Sequence, residues 1–188
     1  MAGAATSPRE RYRAQLRAEI KQHAWEQVAT AGASALSLKA IAKQVGMSGP
    51  ALYHYYASRD ELITELIRDA YRGLADTLNE AAEDGADIAG LARALRRWAL
   101  ADPHRYHLIY GTPVPSYHAP ADTVETAKEV MGRLLAAGPE TADPMRRGLT
   151  FWTRLHGVLS LELAGHFDGM DFDPAAHFEA EVESLLGR

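Results

Sequence analysis

Three features of this 188-residue chain predict an all-α fold of about nine helices. Apolar residues recur every three or four positions through most segments, and no stretch shows the two-residue alternation of a half-buried strand. Asp-Pro pairs at Asp102-Pro103, Asp143-Pro144 and Asp173-Pro174 each supply an N-cap followed by a proline at the first helical position. Single glycines such as Gly32 and Gly46 close the runs that precede them.

The elements follow in order. Residues 1–8 lack an apolar core and read as a short disordered arm. Residues 9–31 form a first helix with the stripe Leu16, Ile20, Ala24 and Val28, widened by Trp25 and stopped at Gly32. Its arginines at 9, 11, 13 and 17 read either as a solvated basic face or as an arm reaching toward phosphates. Ser37 caps a second, short helix with Leu38, Ile41, Ala42 and Val45 on one face, and Gly46 ends it. Ser48 caps a third, with Pro50 in its first turn; Ala51, Leu52 and Tyr55 turn inward there. Ser58 caps a long fourth helix to about residue 83, with Glu61 completing a capping box.

Residues 88–101 make a fifth helix, with Leu91, Leu95 and Trp98 on one face. A short sixth helix begins at Pro103 and carries Tyr106 and Tyr110. Residues 111–120 contain three prolines and are expected to be an irregular, mobile loop. Residues 121–137 form a seventh helix. The eighth, from Pro144 to about residue 165, has two apolar stripes. One is Leu149, Trp152, His156, Leu159 and Leu163; the other is Phe151, Leu155, Val158 and Glu162. A helix apolar on two sides is buried on two sides, so the second stripe is assigned to a partner subunit. A ninth helix, residues 174–186, carries Phe178, Val182 and Leu185, which join that interface assignment.

Two short helices joined by a glycine turn make a helix-turn-helix, whose second helix enters a DNA major groove. The residues of this region add a specific pattern: Ala24, Val28, Gly32, Ser37-Leu38, Ile41-Ala42, Val45-Gly46-Met47-Ser48, Ala51-Leu52-Tyr53-His54-Tyr55-Tyr56 and Ser58-Arg59-Asp60-Glu61-Leu62. From about residue 20 to 66 it resembles the DNA-binding domain of TetR-family transcriptional regulators. It departs at Tyr56 and Arg59, where the family more often has Phe and Lys. Ser48, Gly49, Pro50, Ala51, Tyr53 and His54 open or line the reading helix and face base edges or phosphates. The resemblance implies phosphate contacts from Ser37, Lys39, Tyr53, Tyr55 and Arg59, although Tyr55 is equally placed for the core. The organisation expected is an arm at 1–8, a DNA-binding domain at 9–57, and a helical effector-binding and dimerisation domain at 58–188.

The segment Trp152-Thr153-Arg154-Leu155-His156-Gly157 resembles the C-terminal domain class of the same family named for its Trp-His-Gly signature. Trp98, Tyr106, Tyr110, Trp152 and His156 either line an apolar pocket with a few polar handles or form a packed aromatic core. The family implies an unidentified small-molecule effector there, no cofactor, and a shift of the fourth helix that separates two reading heads. It also implies a homodimer built on helices eight and nine, a palindromic double-stranded operator, and repression as the default. Two reading helices on a two-fold axis meet half-sites about 34–36 Å apart or multiples of that.

Charge and composition agree. The net charge is −5, but residues 1–68 hold nine Lys/Arg against six Asp/Glu, and residues 69–188 hold eleven against nineteen. The positive end coincides with the helix-turn-helix, and the acidic remainder is repelled by phosphate. There is no cysteine, so disulfides and thiolate metal sites are excluded. No apolar run approaches the ~20 residues of a membrane span, and a cytoplasmic location is expected. The rival class is an enzyme or a metal- or small-molecule-binding protein using the histidine and aromatic cluster. His104 and His107 are three apart, and His118, His166 and His177 lie elsewhere. Against it, the chain has no His-Glu-x-x-His motif, nucleophile elbow or phosphate-binding glycine loop.

Overall fold

The computed structural model of the chain describes residues 7–137 and 143–186. Among the described residues there are nine α-helices and no strand: α1 (Pro8–Ala31), α2 (Leu38–Val45), α3 (Gly49–Tyr53), α4 (Arg59–Glu83), α5 (Ile88–Ala101), α6 (Pro103–Tyr110), α7 (Ala121–Ala136), α8 (Pro144–Leu163) and α9 (Pro174–Leu186). A 3-10 turn, Ala33–Ala35, links α1 to α2.

Capping chemistry explains why these boundaries were legible. The three Asp-Pro starts behave as expected. Asp102 accepts from the Arg105 amide at 3.2 Å, Asp143 from Arg146 at 2.9 Å, and Asp173 from Ala175 at 2.8 Å. Each satisfies an amide that the helix itself leaves without a partner. The beginning of α1 differs from expectation. Ser7 and Glu10 form a reciprocal capping box, so the helix starts at Pro8, one residue ahead of the expected start and within the stretch expected to be a disordered arm. Residues 1–6 of that arm lie outside the described residues. At α4, Ser58 accepts from the Glu61 amide, but the Glu61 carboxylate reaches one residue further back, to the Ala57 amide at 2.6 Å.

The chain divides into two compact units. The first takes residues up to Ile67 together with Pro113–His118, and the second takes Arg68–Thr112 and Ala119 onward. The division falls inside α4, after Ile67, and not ahead of that helix at residue 58. The reason is packing. Leu62, Ile63 and Leu66 in the first turns of α4 are fully buried, as are Ile20, Ala24, Ile41, Leu52 and Tyr56 of the helix-turn-helix unit. Without them the small unit would lose much of its apolar core, which supplies most of the stability of so short a chain segment.

The second unit is built around Leu74, Leu78, Leu91, Leu95, Tyr106, Leu155, Leu159, Phe178 and Val182. Here the dimer assignment needs correction. Phe151, Leu155, Val158, Phe178 and Val182 are all buried inside the single chain, and Leu185 packs half-buried against the same core. Glu162 is held by Arg96 of α5, whose Nε lies 3.2 Å from Oε2 and whose guanidinium also lies 5.6 Å from the Phe178 ring centroid. Periodicity revealed two apolar stripes on α8 but could not say which one faces its own core.

Candidate nucleic-acid interface and aromatic cluster

The first unit presents α3 on a short, tightly closed turn. Gly46 takes φ 76° and ψ 24°, the left-handed conformation that a side chain resists. That bend lets the Met47 amide return to the Ala42 carbonyl at 2.9 Å, so α2 stops within one residue. The Ser48 hydroxyl then accepts from the Ala51 amide at 3.3 Å and starts α3. Leu52, with no exposed surface, anchors α3 to the core. With one side pinned by Leu52, α3 turns Pro50, Tyr53 and His54 outward. Tyr53 is 56% exposed, a large aromatic ring left in solvent on the element expected to read DNA.

Lys39 and Lys43 of α2 also stand exposed. With Ser37, Ala40, Ala42, Met47 and Gly49 they line an open groove of about 470 Å³. Two exposed ammonium groups on an open groove suit a polyanionic backbone.

Other expected contacts are used inside the unit. Ser37 caps α2 through Ala40 and donates its own amide to Gln27 Oε1 at 2.9 Å, which fixes α2 against α1. Arg59 turns back on its own unit. Its Nη2 donates to the carbonyls of Ala33 and Ser34, each at 3.0 Å, and so braces the 3-10 turn. Tyr55 is half-buried with the Arg13 guanidinium 5.9 Å from its ring centroid. Tyr56, not Tyr55, is the fully buried tyrosine, with Arg17 4.7 Å over its ring and 3.6 Å from Glu65. Of the four N-terminal arginines, Arg9 and Arg11 are exposed at the start of α1, while Arg13 and Arg17 meet rings of the same unit.

In the second unit, four of the five expected pocket residues come together. Tyr106 and Tyr110 of α6 meet Trp152 and His156 of α8. Trp152 and His156, one helical turn apart, stack at 5.4 Å with 14° between ring planes. Tyr110 lies 4.8 Å from Trp152 and 5.8 Å from His156. The Tyr106 hydroxyl is 2.5 Å from His156 Nδ1. Trp98 stands apart from this stack: its indole nitrogen faces Gly73 of α4. Tyr71 of α4, not among the expected pocket residues, meets Tyr110 edge-on at 6.1 Å.

Burial sets the electrostatics. Loss of hydration raises the Tyr71, Tyr106 and Tyr110 hydroxyl pKa values, so all three stay protonated at neutral pH. The same cause lowers that of His156, which is therefore neutral. The histidines considered for metal binding are dispersed. His104, His118 and His166 are exposed, and His177 meets the Phe172 ring. Among the described residues no group of three or more His, Asp or Glu is placed to hold a metal ion. Nor is any helix of those residues long and apolar enough to cross a membrane.

Residues 20–66 match the family model for bacterial regulatory proteins of the tetR family, and residues 88–185 match the tetracyclin repressor-like C-terminal domain. The HTH-type transcriptional regulator Rv1816 of Mycobacterium tuberculosis is 37% identical, over 93% of this chain and 92% of its own length. The crystal structure of SCO4313 is 60% identical with a TM-score of 0.90, covering 97% of this chain and 100% of that one. The TetR-family regulator PfmR of Thermus thermophilus shares the fold, with a TM-score of 0.68 at 19% identity over 89% of this chain and 97% of its own. With both family models matched in order and a relative 37% identical over nearly its whole length, the chain belongs to the TetR family of DNA-binding transcriptional regulators.

Proposed function

We propose that the protein is a cytoplasmic repressor that binds a palindromic operator as a homodimer and leaves it when a small molecule occupies the aromatic cluster of the second unit. The observation that carries the DNA-reading half is the exposed face of α3: Pro50, Tyr53 and His54 outward and Leu52 buried beneath, with Lys39 and Lys43 exposed on α2 along a groove that reaches Gly49 of α3. Ser48, Gly49 and Ala51 sit at the same helix end, close enough in chain for backbone and shape contacts with base edges. Because Arg59 is occupied by carbonyls, phosphate binding falls to Lys39, Lys43 and the Tyr53 hydroxyl. No arginine lies on α3, so sequence reading relies on small side chains, Tyr53 and His54.

Dimerisation follows from the reading task, since five helical residues meet few base pairs. Among the residues of α8 left outside its core and free to meet a second copy are Leu149 at 48% and Leu161 at 44% exposure, with the exposed Thr153 between them in sequence. α4 contributes residues to both compact units, so a change in its position is available to couple an effector to the reading helix. A coupling of about 1–3 kcal/mol suffices for regulation.

The test is an electrophoretic mobility shift with duplex DNA flanking the coding region, at low salt, with stoichiometry by light scattering. A sequence-specific shift by a dimer is expected. A monomer that shifts no duplex would refute the reading.

A further inference from the structure

The aromatic cluster has a polarity that its ring contacts alone do not reveal. Tyr106 has no exposed surface, and among the described residues its hydroxyl has one hydrogen-bond partner, His156 Nδ1, at 2.5 Å. A phenol brings one proton, and a buried donor without an acceptor is costly. If Nδ1 carried the histidine proton, the Tyr106 proton would be the orphan. The arrangement that satisfies both groups has the phenol donating to Nδ1. The proton of the neutral ring then resides on Nε2, directed away from Tyr106. Tyr106 thus fixes the tautomer of His156, and the free end of the imidazole is a donor.

The rest of the inventory leans the same way. The Trp152 indole N–H is a donor only, and the Tyr71 and Tyr110 hydroxyls rotate to suit either role. Tyr71, Tyr110, Trp152 and His156 each keep some exposed surface. The near-parallel Trp152 and His156 rings and the tilted Tyr110 ring offer flat apolar walls. An anion placed against these rings would lose hydration and meet their negative faces, and a cation, though drawn to those faces, would meet the positive end of each N–H donor.

We infer that the cluster binds a neutral, flat, apolar molecule bearing a carbonyl-type acceptor, and that the Nε2–H of His156 is the donor that reads this acceptor. Tyr106 acts as a positioning residue through His156. This names the chemical class of the effector and rests on the effector reading above.

Three probes of similar size separate shape, acceptor and charge: coumarin, naphthalene and coumarin-3-carboxylate. Binding to the full chain is measured by ligand-observed NMR, with helical content checked by circular dichroism. Coumarin is expected to bind at least tenfold more tightly than either of the others. His156→Phe keeps a flat ring, and should bring coumarin down to the affinity of naphthalene while leaving naphthalene unchanged. Tyr106→Phe should weaken coumarin several-fold by freeing the tautomer. In the unaltered protein, ¹⁵N shifts of His156 should report an Nε2–H ring, a readout that needs no variant to fold. The inference is overturned if the carboxylate binds as well as coumarin, if His156→Phe preserves the coumarin preference, if the ring carries Nδ1–H, or if no probe binds. Mobility shifts on the same samples keep the two readings apart. Intact operator binding without probe binding defeats only the ligand class, whereas loss of both defeats the regulator reading itself.

Discussion

The hydroxyl of Tyr117 donates to the hydroxyl oxygen of Thr64 across 3.0 Å, joining residues 53 apart in sequence. The direction follows from proton counting. Thr64 gives its one proton to the Asp60 carbonyl at 2.8 Å, so it accepts from Tyr117. Thr64 is 7% exposed, and Val114, on the same loop as Tyr117, is 9% exposed. The proline-rich 113–118 segment, expected to be a mobile loop, is thus a strap on the first turns of α4 within the DNA-reading unit. It follows α6 directly in the chain, and α6 carries Tyr106 and Tyr110.

Removing this bond should be felt as stability. Tyr117→Phe is expected to cost about 0.5–1.5 kcal/mol in urea denaturation, the ordinary net value of such a bond. Thr64→Val should cost more, because the Thr64 donation to the Asp60 carbonyl is lost as well. A double-mutant cycle checks the pairing: additive effects would mean that the two hydroxyls do not interact.

Tyr53 stands in solvent, so its role is open to a clean test. Tyr53→Phe should leave the melting temperature unchanged, since 56% of the residue is exposed. It should weaken operator binding and reduce the slope of log affinity against log salt only slightly, because the hydroxyl is uncharged. Lys39→Ala should reduce that slope by about 0.9. Mobility shifts across a salt series distinguish the two.

Arg59 should behave in the opposite way. Arg59→Ala removes two donations to the turn after α1 and should destabilise the protein by about 1–2 kcal/mol, a value moderated by partial solvent access. Arg59→Lys should not rescue it fully, since one ammonium does not reproduce the guanidinium geometry. The salt slope of DNA binding should stay at its original value, measured on the folded fraction.

Gly157 offers a probe of dimerisation that spares the core. A Cβ added there meets nothing within 4 Å inside the chain. Gly157→Arg should therefore keep the monomer fold, at the cost of nothing in packing, yet dissociate the dimer in light scattering and abolish operator binding. A dimer of undiminished strength would move the interface off this face of α8.

His156 predicts a pH dependence. Burial lowers its pKa in the folded protein from the ordinary value of 6.5. As pH falls through about 6.5, the unfolded chain takes up a proton that the folded chain does not. Stability from this group is therefore present above that pH, is lost progressively as pH falls toward the folded value, and then levels off. Urea midpoints at pH 7.5 and 5.5 should show the drop, and His156→Phe should reduce it. An NMR titration should place the folded midpoint below 6.5.

Much of this protein was written in local sequence. Ser37, Gly46, Ser48 and the Asp-Pro pairs fixed helix ends because capping acts within three or four residues and needs no partner from elsewhere. That Trp152 and His156 share a helical face followed from spacing alone; that Tyr106 and Tyr110 of α6 join them did not. Long-range partners were decided only by tertiary structure. Whether Arg59 meets a phosphate or two carbonyls, whether Tyr55 or Tyr56 fills the core, and whether Phe151 and Leu155 face α9 or a second chain depend on contacts many residues apart. Periodicity gives the angle of a side chain around its own helix; it does not say which neighbour the fold brings to that angle.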